Sequence, residues 1–331
     1  MRFGSGTEVY GPIHSNGGIR FDGLAHNLVT SGATTYADAD ADACTTNNSY
    51  GVHTCLSPQD PTSPAVLPTR SDVFAAGRLI SQPSVSFSGF TSDLNTLKTA
   101  SKTASGFYRD AVGGSYVGYH VILKTNDTFD LYKIGSWTSL GNCTTQAPNT
   151  LSWSINAQTI IGNYAFPANG VMFFEDNVVV DGTINGARLT IIAADLPVPS
   201  DTTKYKNIIV NSNLLYTNFD GTDSLGLIAQ NAVTTGMVSN DNLTIDGALI
   251  AQNDRVGRPY FGGASCAYKN RSTITLYGMI ASNARYGYSW TDGTGYATRN
   301  IVYDANLLYA PPPSFPLTSD QYQILSWKEV K

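Results

Sequence analysis

Three aspartates at alternate positions form the first group of residues whose spacing could support chemistry. In an extended strand Asp38, Asp40 and Asp42 would share one face, and carboxylate oxygens arranged in this way bind Ca²⁺. The spacing resembles the start of an EF-hand loop, but Ala43 and Ser49 stand where that loop requires Gly and Glu. A solvated acidic loop is the alternative. The sequence therefore predicts no cofactor, with Ca²⁺ at this ladder as the one exception to test.

Four aromatic residues in a Gly-rich loop form the second group. The amphipathic rings of Tyr286, Tyr288, Trp290 and Tyr296 could present their faces to sugar rings or to a protein partner. The alternative is that these rings cover the edge of the fold. We predict a ligand-binding loop here, in which Trp290→Ala abolishes retention on a glycan surface without changing the melting temperature.

Carboxylates that could serve a polysaccharide-degrading enzyme form the third group. Such an enzyme needs convergent carboxylates, or a Ca²⁺ site beside a basic residue. The candidates are Asp220, Asp223, Glu175, Asp176 and Arg188. Solvent-facing corners explain the same residues, and the chain has no closely spaced Asp pair followed by Gly-His. We therefore predict no catalytic residues and no enzymatic activity.

The four cysteines are even in number and lack CxxC spacing, which argues against a zinc or thioredoxin-like site. Cys44 and Cys55 close a small polar loop, and we predict a disulfide between them. Closing this loop would stabilise the fold by about 3 kcal/mol. Two free thiols are the alternative. A second bridge, between Cys143 and Cys266, is supported only by the even number of cysteines.

The composition favours a secreted, strand-rich protein. Only 14% of the 331 residues are charged, and Tyr occurs 19 times. The net charge of −5 argues against a nucleic-acid partner, which would require clustered Lys and Arg. No apolar run is long enough to cross a bilayer, and the first residues lack the pattern of a signal peptide. We therefore expect an ectodomain trimmed from a longer precursor.

A recurring pattern of two apolar runs around a small or polar corner organises the chain. Copies begin at Ile208, Leu243, Ile274 and Ile301, at spacings of 35, 31 and 27 residues. A further copy at 225–231 shares its Ala-Gln-Asn ending with 243–253. Repeats of this length indicate stacked coils that bury one face against a neighbour. The predicted fold class is therefore mainly β, a solenoid with loops of variable length.

The pattern changes between residues 87 and 166. Leu94, Leu97 and Ala100 lie on one helical stripe, and 116–134 reads as two strands around a turn. We predict three segments. These are 1–86 with the first coils and the polar disulfide loop, 87–166 with a helix and β-hairpin inserted on the solenoid side, and 167–331 with the main coils and a C-terminal capping strand.

Five stretches of the chain resemble one family when taken in order. They are 11–17 (Gly-Pro-Ile-His-Ser-Asn-Gly), 91–98, 118–124, 181–191 and 225–231 (Leu-Gly-Leu-Ile-Ala-Gln-Asn). They are similar to the ectodomains that follow a pilin-type N-terminal helix in PilX-like type IV pilus assembly proteins. The resemblance implies a right-handed parallel β-helix displayed outside the cell, without catalytic residues. The family's hydrophobic N-terminal helix, the only membrane anchor it implies, is absent from these residues.

The expected function is that of an extracellular structural or adhesive module of a minor pilin-like surface protein. Its expected partners are pilus or other cell-surface proteins, or surface glycans, and not nucleic acid. The alternative is a carbohydrate-binding or carbohydrate-active protein, since parallel β-helices often carry polysaccharide lyases and hydrolases. Fold alone does not decide between them.

Overall fold

The computed structural model describes residues 1–38, 44, 49–86, 90–147 and 150–315, with the side chains of 90–93 left out. This part of the chain is mainly β, as predicted, with one α-helix. Its first strands are β1 (Arg2–Phe3), β2 (Thr7–Val9), β3 (Ile13–Ser15), β4 (Ile19–Phe21), β5 (Leu24–Ala25), β6 (Val29–Ser31), β7 (Thr35–Tyr36), β8 (Ser49–Tyr50), β9 (Val52–His53) and β10 (Arg78–Leu79).

The predicted helix and hairpin follow, and the repeated region comes after them. The region of the helix and hairpin contains α1 (Phe90–Ser101), β11 (Phe107–Arg109), β12 (Tyr119–Leu123), β13 (Thr128–Trp137), β14 (Thr144–Thr145) and β15 (Ile155–Ala165). The repeated region contains β16 (Val171–Phe174), β17 (Val178–Ile184), β18 (Arg188–Ala193), β19 (Ile208–Ile209), β20 (Leu214–Tyr216), β21 (Ser224–Ala229), β22 (Val233–Thr234), β23 (Asn242–Ala251), β24 (Val256–Gly257), β25 (Phe261–Gly262), β26 (Asn270–Ser282) and β27 (Gly295–Tyr303).

Three parallel ladders run side by side through the repeated region. The first joins β12, β17, β20, β23, β26, β27, β2 and β5 in that spatial order. The second joins β11, β16, β18 and β21 with the second halves of β23 and β26. The third joins β12, the first half of β17, β19, β22 and β24. Strands distant in sequence therefore pair along three ladders, and we call one passage of the chain through these ladders a coil.

Apolar side chains align in columns inside the ladders. The column through the first ladder contains Leu214, Ile245, Leu276, Ile301, Val9 and Ala25. Most of its members are buried in one continuous core. Parallel strands pack at about 4.8 Å, so each coil covers the apolar face of the next. Of the predicted repeats, those that begin at Leu243 and Ile274 pair from their first residues. The other two do not start in register, since Ile301 pairs with Leu276 and Ile208 pairs with Val233 of the third ladder.

Two glycines form the corner between the first and second ladders. Gly247 and Gly278 are paired across β23 and β26, with φ angles of 154° and 147°. A Cβ on Gly278 would lie 1.9 Å from the carbonyl oxygen of Gly247. Only glycine allows the backbones to approach this closely while the strand bends.

The order of stacking differs from the order of the chain. The N-terminal strand β2 pairs with β27, so the coils of segment 1–86 follow the last coil of the repeated region. At the other end β12 pairs with β13 and with β17, so the hairpin continues the ladder instead of packing on its side as predicted. The predicted segments 1–86 and 87–166 thus lie at opposite ends of the stack. The predicted C-terminal capping strand falls outside the described residues.

The helix covers the outer face of the second ladder. Leu94 and Leu97 of α1 are buried against Phe173 and Ile192. The 3₁₀ turn Ala305–Leu308 and the segment that ends at Phe315 cover the same face further along. In the part of the chain that the structure describes, no helix is long and apolar enough to span a membrane.

Two disulfides connect distant loops. The predicted bond between Cys44 and Cys55 is confirmed. Cys143 and Cys266 also pair, which joins the loop before β14 to the loop after β25 across 123 positions of sequence. Disulfides form and persist in oxidising environments of the extracellular type.

Candidate functional site

The coil that contains β27 is incomplete. β27 itself pairs with β26 on one side and with β2 on the other. The chain then leaves the ladder at Asp304, whose carboxylate accepts a hydrogen bond from the N–H of Asn306 (2.9 Å) and begins the 3₁₀ turn. Within the described residues, the second half of β26 pairs only with β23. Strand β1 pairs only with β4, and its Phe3 ring lies between those of Phe21 and Tyr286. We call the region between β26 and strands β1–β3 the junction.

Two cavities occupy the open sides of the junction. The arginine pocket, of about 630 Å³, is lined chiefly by Arg2, Arg255, Arg285, Arg299 and residues 286–290. The apolar slot, of about 550 Å³, is lined chiefly by Phe3, Ile13, residues 279–286 and Tyr303. Phe3, Arg285 and Tyr286 line both cavities, so the two meet along one wall.

Positive charge is concentrated in the arginine pocket. Four of the eleven arginines of the chain line it, although the net charge of the whole protein is −5. No Asp or Glu is present among the described residues that line the pocket. A concave surface of one charge raises the local concentration of oppositely charged ligands. The pocket is therefore suited to anionic groups.

The four arginines differ in what they contact. Arg299 is buried and donates to Thr7 Oγ1 (3.0 Å) and to the backbone oxygens of Ser5, Tyr296 and Ala297, and burial lowers its pKa. It therefore holds the first and last coils together. Arg255 is only partly buried, 3.6 Å from the carboxylate of Asp254. Arg285 is exposed.

Three of the four predicted ligand-binding aromatics lie inside the fold, which corrects their predicted role. Tyr286, Tyr288 and Tyr296 are 5%, 0% and 0% exposed, so their rings cannot stack on a ligand. Residue 287 pairs with Gly257 of the third ladder, and its two neighbours consequently point to the same side, into the core. The sequence pattern predicts an open loop at 286–290, whereas residue 287 lies in an extended segment that pairs with the third ladder.

Trp290 is the member of that group that remains at the surface of the pocket. Its ring is half-buried, packs edge-on against Tyr260 (5.5 Å between centroids) and lies 5.7 Å from the guanidinium of Arg255. The turn beyond it is held by Asp292, which accepts hydrogen bonds from the N–H and hydroxyl of Thr294 (3.0 and 2.8 Å). The structure thus brings Trp290 beside the arginines.

A buried hydroxyl without a partner lies at the wall between the cavities. Among the described residues, nothing forms a hydrogen bond with Tyr286 Oη, although the ring stacks on Phe3 at 5.6 Å. Burial raises the pKa of Tyr286. A buried hydroxyl that loses water without gaining a partner costs free energy. The Tyr286 hydroxyl therefore adds a desolvation cost at this wall that no hydrogen bond offsets.

The predicted Ca²⁺ ladder is only partly within the described residues. Asp38 is buried and accepts a hydrogen bond from Arg20 Nη1 (3.1 Å), so its charge is already paired. Asp40 and Asp42 lie outside the described residues, and Ca²⁺ binding there stays a prediction. Cys44, His53 and Cys55 cluster closely enough to hold a metal ion, but the two cysteines form the disulfide and offer no thiolate.

The carboxylates proposed for an enzyme are engaged in structural contacts. Asp223 accepts hydrogen bonds from the N–H groups of Ala187, Thr217 and Asn218 (3.0, 2.9 and 2.7 Å). The others have partners of their own: Asp220 with Thr222, Glu175 with Lys98, Asp176 with Lys206 and Val112, and Arg188 with Ser224. These five residues line neither cavity of the junction.

Comparisons with known proteins leave the family open: no family model, no curated protein and no solved structure matches the chain. The resemblance to pilus assembly proteins accordingly stays a prediction. The sequence reasoning missed the arginines of the pocket because they come from both ends of the chain. Their only local signal is the presence of Arg285 beside the aromatic loop.

Proposed function

We propose that the chain is an extracellular, non-catalytic module with a right-handed parallel β-helix fold, which acts as a structural or adhesive part of a pilus-type surface assembly. Three parallel ladders with in-register apolar columns support the β-helix. Crossovers between parallel strands of one sheet are right-handed in almost all proteins. The two disulfides support a place outside the cell, and the resemblance to pilus proteins supports the pilus setting.

The arginine pocket carries the adhesive part of this proposal. Guanidinium groups bind carboxylate and sulfate in a two-pronged geometry, and they do so more specifically than lysine. Arg255 and Arg285 supply such groups at the rim, and the half-buried ring of Trp290 offers a face on which a sugar can stack. The pocket therefore binds acidic glycans, meaning sugar polymers that carry carboxylate or sulfate groups.

Retention on immobilised glycans tests the proposal. The full chain is expected to be retained on polygalacturonate and on heparin but not on neutral dextran, and retention should fall as salt screens the charges. The double variant Arg255→Gln/Arg285→Gln should bind polygalacturonate and heparin at least about tenfold more weakly, because both guanidiniums at the rim are lost. Trp290→Ala should weaken retention as well.

Lys204→Gln is the matched control, because it removes one positive charge at an exposed position away from the junction. It should elute like the unaltered protein. Equal retention on dextran, or equal loss in the Lys204 variant, would contradict the proposal. Shortening of the glycan chains during incubation, measured by size-exclusion chromatography, would instead favour the carbohydrate-active alternative.

A further inference from the structure

The apolar slot lies where one strand of the second ladder is absent. In the part of the chain that the structure describes, the second half of β26 pairs only with β23, and β3 pairs only with β6. Leu276, Ile301 and Val9 are aligned in the first ladder. Ile280 lies four residues after Leu276, and Ile13 lies four residues after Val9. Ile280 and Ile13 therefore hold equivalent positions in coils that are two apart in the ladder. Among the described residues no strand lies between these two positions, since the chain leaves the ladder after β27.

The gap has the width of one strand. Neighbouring strands lie about 4.8 Å apart, so positions two coils apart are separated by about 9.6 Å, with space for one backbone between them. Along a parallel strand, the backbone groups of successive residues point to alternate sides. The N–H groups of Asn283 and Ile13 donate away from the slot, at 3.2 and 3.0 Å. Those of Ser282 and His14 consequently face into it.

The lining of the slot defines the chemistry of its occupant. Phe3 and Ile13 are buried at its base, with Ile280 partly exposed opposite them. Exposed Arg285 stands at one end, and no Asp or Glu is present among the described residues of the lining. Because β26 runs towards Arg285, a segment parallel to it would place its C-terminal end there. A carboxylate at that end complements the charge.

We propose that the apolar slot accepts an extended segment of another polypeptide, added as a parallel strand between β26 and β3. Apolar side chains of the segment point inward between Ile280 and Ile13, and an acidic residue at its C-terminal end lies beside Arg285. Strand addition takes its affinity from main-chain hydrogen bonds and its specificity from pockets for alternate side chains. Here the added strand would pair with β26 on one side and with β3 on the other. The inference rests on the gap between β26 and β3 and not on glycan binding, although both sites include Arg285.

The probe is a labelled six-residue peptide that alternates threonine with valine or isoleucine and ends in aspartate. We expect saturable binding to the full chain with a Kd below about 1 mM, measured by fluorescence anisotropy. One control peptide has proline in place of the central threonine, which removes an N–H needed for the added strand. Another ends in lysine. Both should bind at least about tenfold more weakly.

Two variants locate the binding. Ile280→Trp fills the slot and should abolish peptide binding while leaving retention on acidic glycans unchanged. Arg285→Glu, at an exposed position, should reverse the preference between the aspartate and lysine peptides. Trp290→Ala, in the arginine pocket, should leave peptide binding unchanged.

Three results would overturn the proposal. The first is the absence of saturable binding by any peptide, and the second is equal binding of the proline peptide, which would indicate a side-chain pocket without strand addition. The third uses a chain truncated after Phe315. If only that variant binds the peptide, the occupant of the slot is the chain's own segment 316–331 and not a second polypeptide.

Discussion

The complete coils and the junction use the same residue types in opposite ways. In the complete coils, Arg258 is 1% exposed and donates to Ser239 Oγ and to the backbone oxygens of Gly236, Met237 and Tyr268. Three residues earlier, Arg255 lines the open arginine pocket. The difference shows that polar groups in a coil with neighbours on all sides form hydrogen bonds inside the fold. At the junction, where the described strands leave pairing edges unused, such groups line open cavities.

Replacing the buried arginine should give the largest effect. Arg258→Met leaves several backbone oxygens buried without a donor. Because each such oxygen costs about 1 to 3 kcal/mol, we expect the free energy of unfolding to fall by about 3 to 5 kcal/mol. Burial already lowers the pKa of Arg258 to about 9, which indicates how dry its surroundings are. Urea denaturation followed by circular dichroism measures the loss. Arg255→Met is the control and should change stability by less than about 0.5 kcal/mol; similar losses in both variants would remove the comparison.

The complete coils also bury a carboxylate at a cost. Burial raises the pKa of Asp246 to about 6 from 3.8, and nearby Asp304 adds to this, while a hydrogen bond from the N–H of Tyr216 (2.9 Å) acts in the opposite direction. Because the folded-state pKa is the higher one, the folded protein keeps a proton that the unfolded chain loses. The free energy of unfolding should therefore fall as pH rises from about 4 to about 6.

Asp246→Asn should remove this dependence, because the amide oxygen can accept the same hydrogen bond without a charge. Two units of pKa correspond to about 3 kcal/mol, which is the upper limit of the expected gain at pH 7. Denaturation at pH 4.5 and 7.5 checks the sign. A variant whose stability still falls across this interval would show that another group is responsible.

A pair of tyrosine variants gives the smallest and most direct contrast. Tyr286→Phe removes the unpartnered hydroxyl at the junction and should stabilise the protein by about 1 kcal/mol. Tyr296→Phe removes a hydroxyl that donates to the backbone oxygen of Asn240 (2.8 Å) and contacts Ser239 Oγ (2.9 Å), and should destabilise it by a similar amount. Changes of the same sign in thermal denaturation would mean that the presence of a hydrogen-bond partner does not decide the effect of these two hydroxyls on stability.

The sequence predicts local structure well and neighbours across coils poorly. The pairing of the Leu243 and Ile274 repeats, the helix that carries Leu94 and Leu97, the hairpin and the Cys44–Cys55 bond follow from periodicity and spacing. The placement of β2 beside β27 does not, since every coil offers a similar apolar edge and local pattern cannot specify which one it meets. The arginine pocket depends on that placement, so Arg2 and Arg255 carried no recognisable signal. The inward direction of Tyr288 was missed because its segment was interpreted as a loop.

The pairing of β2 with β27 also has a consequence for the time course of folding. A chain that emerges from the ribosome or through a membrane presents its N-terminus first, and domains generally fold in that order. Here the first 38 residues can pair with the repeated region only when residues 295–303, which form β27, have emerged. Synthesis and stacking thus run in opposite directions at this end of the molecule. Until β27 arrives, the early strands remain unpaired on that side and open to chaperones or to other chains.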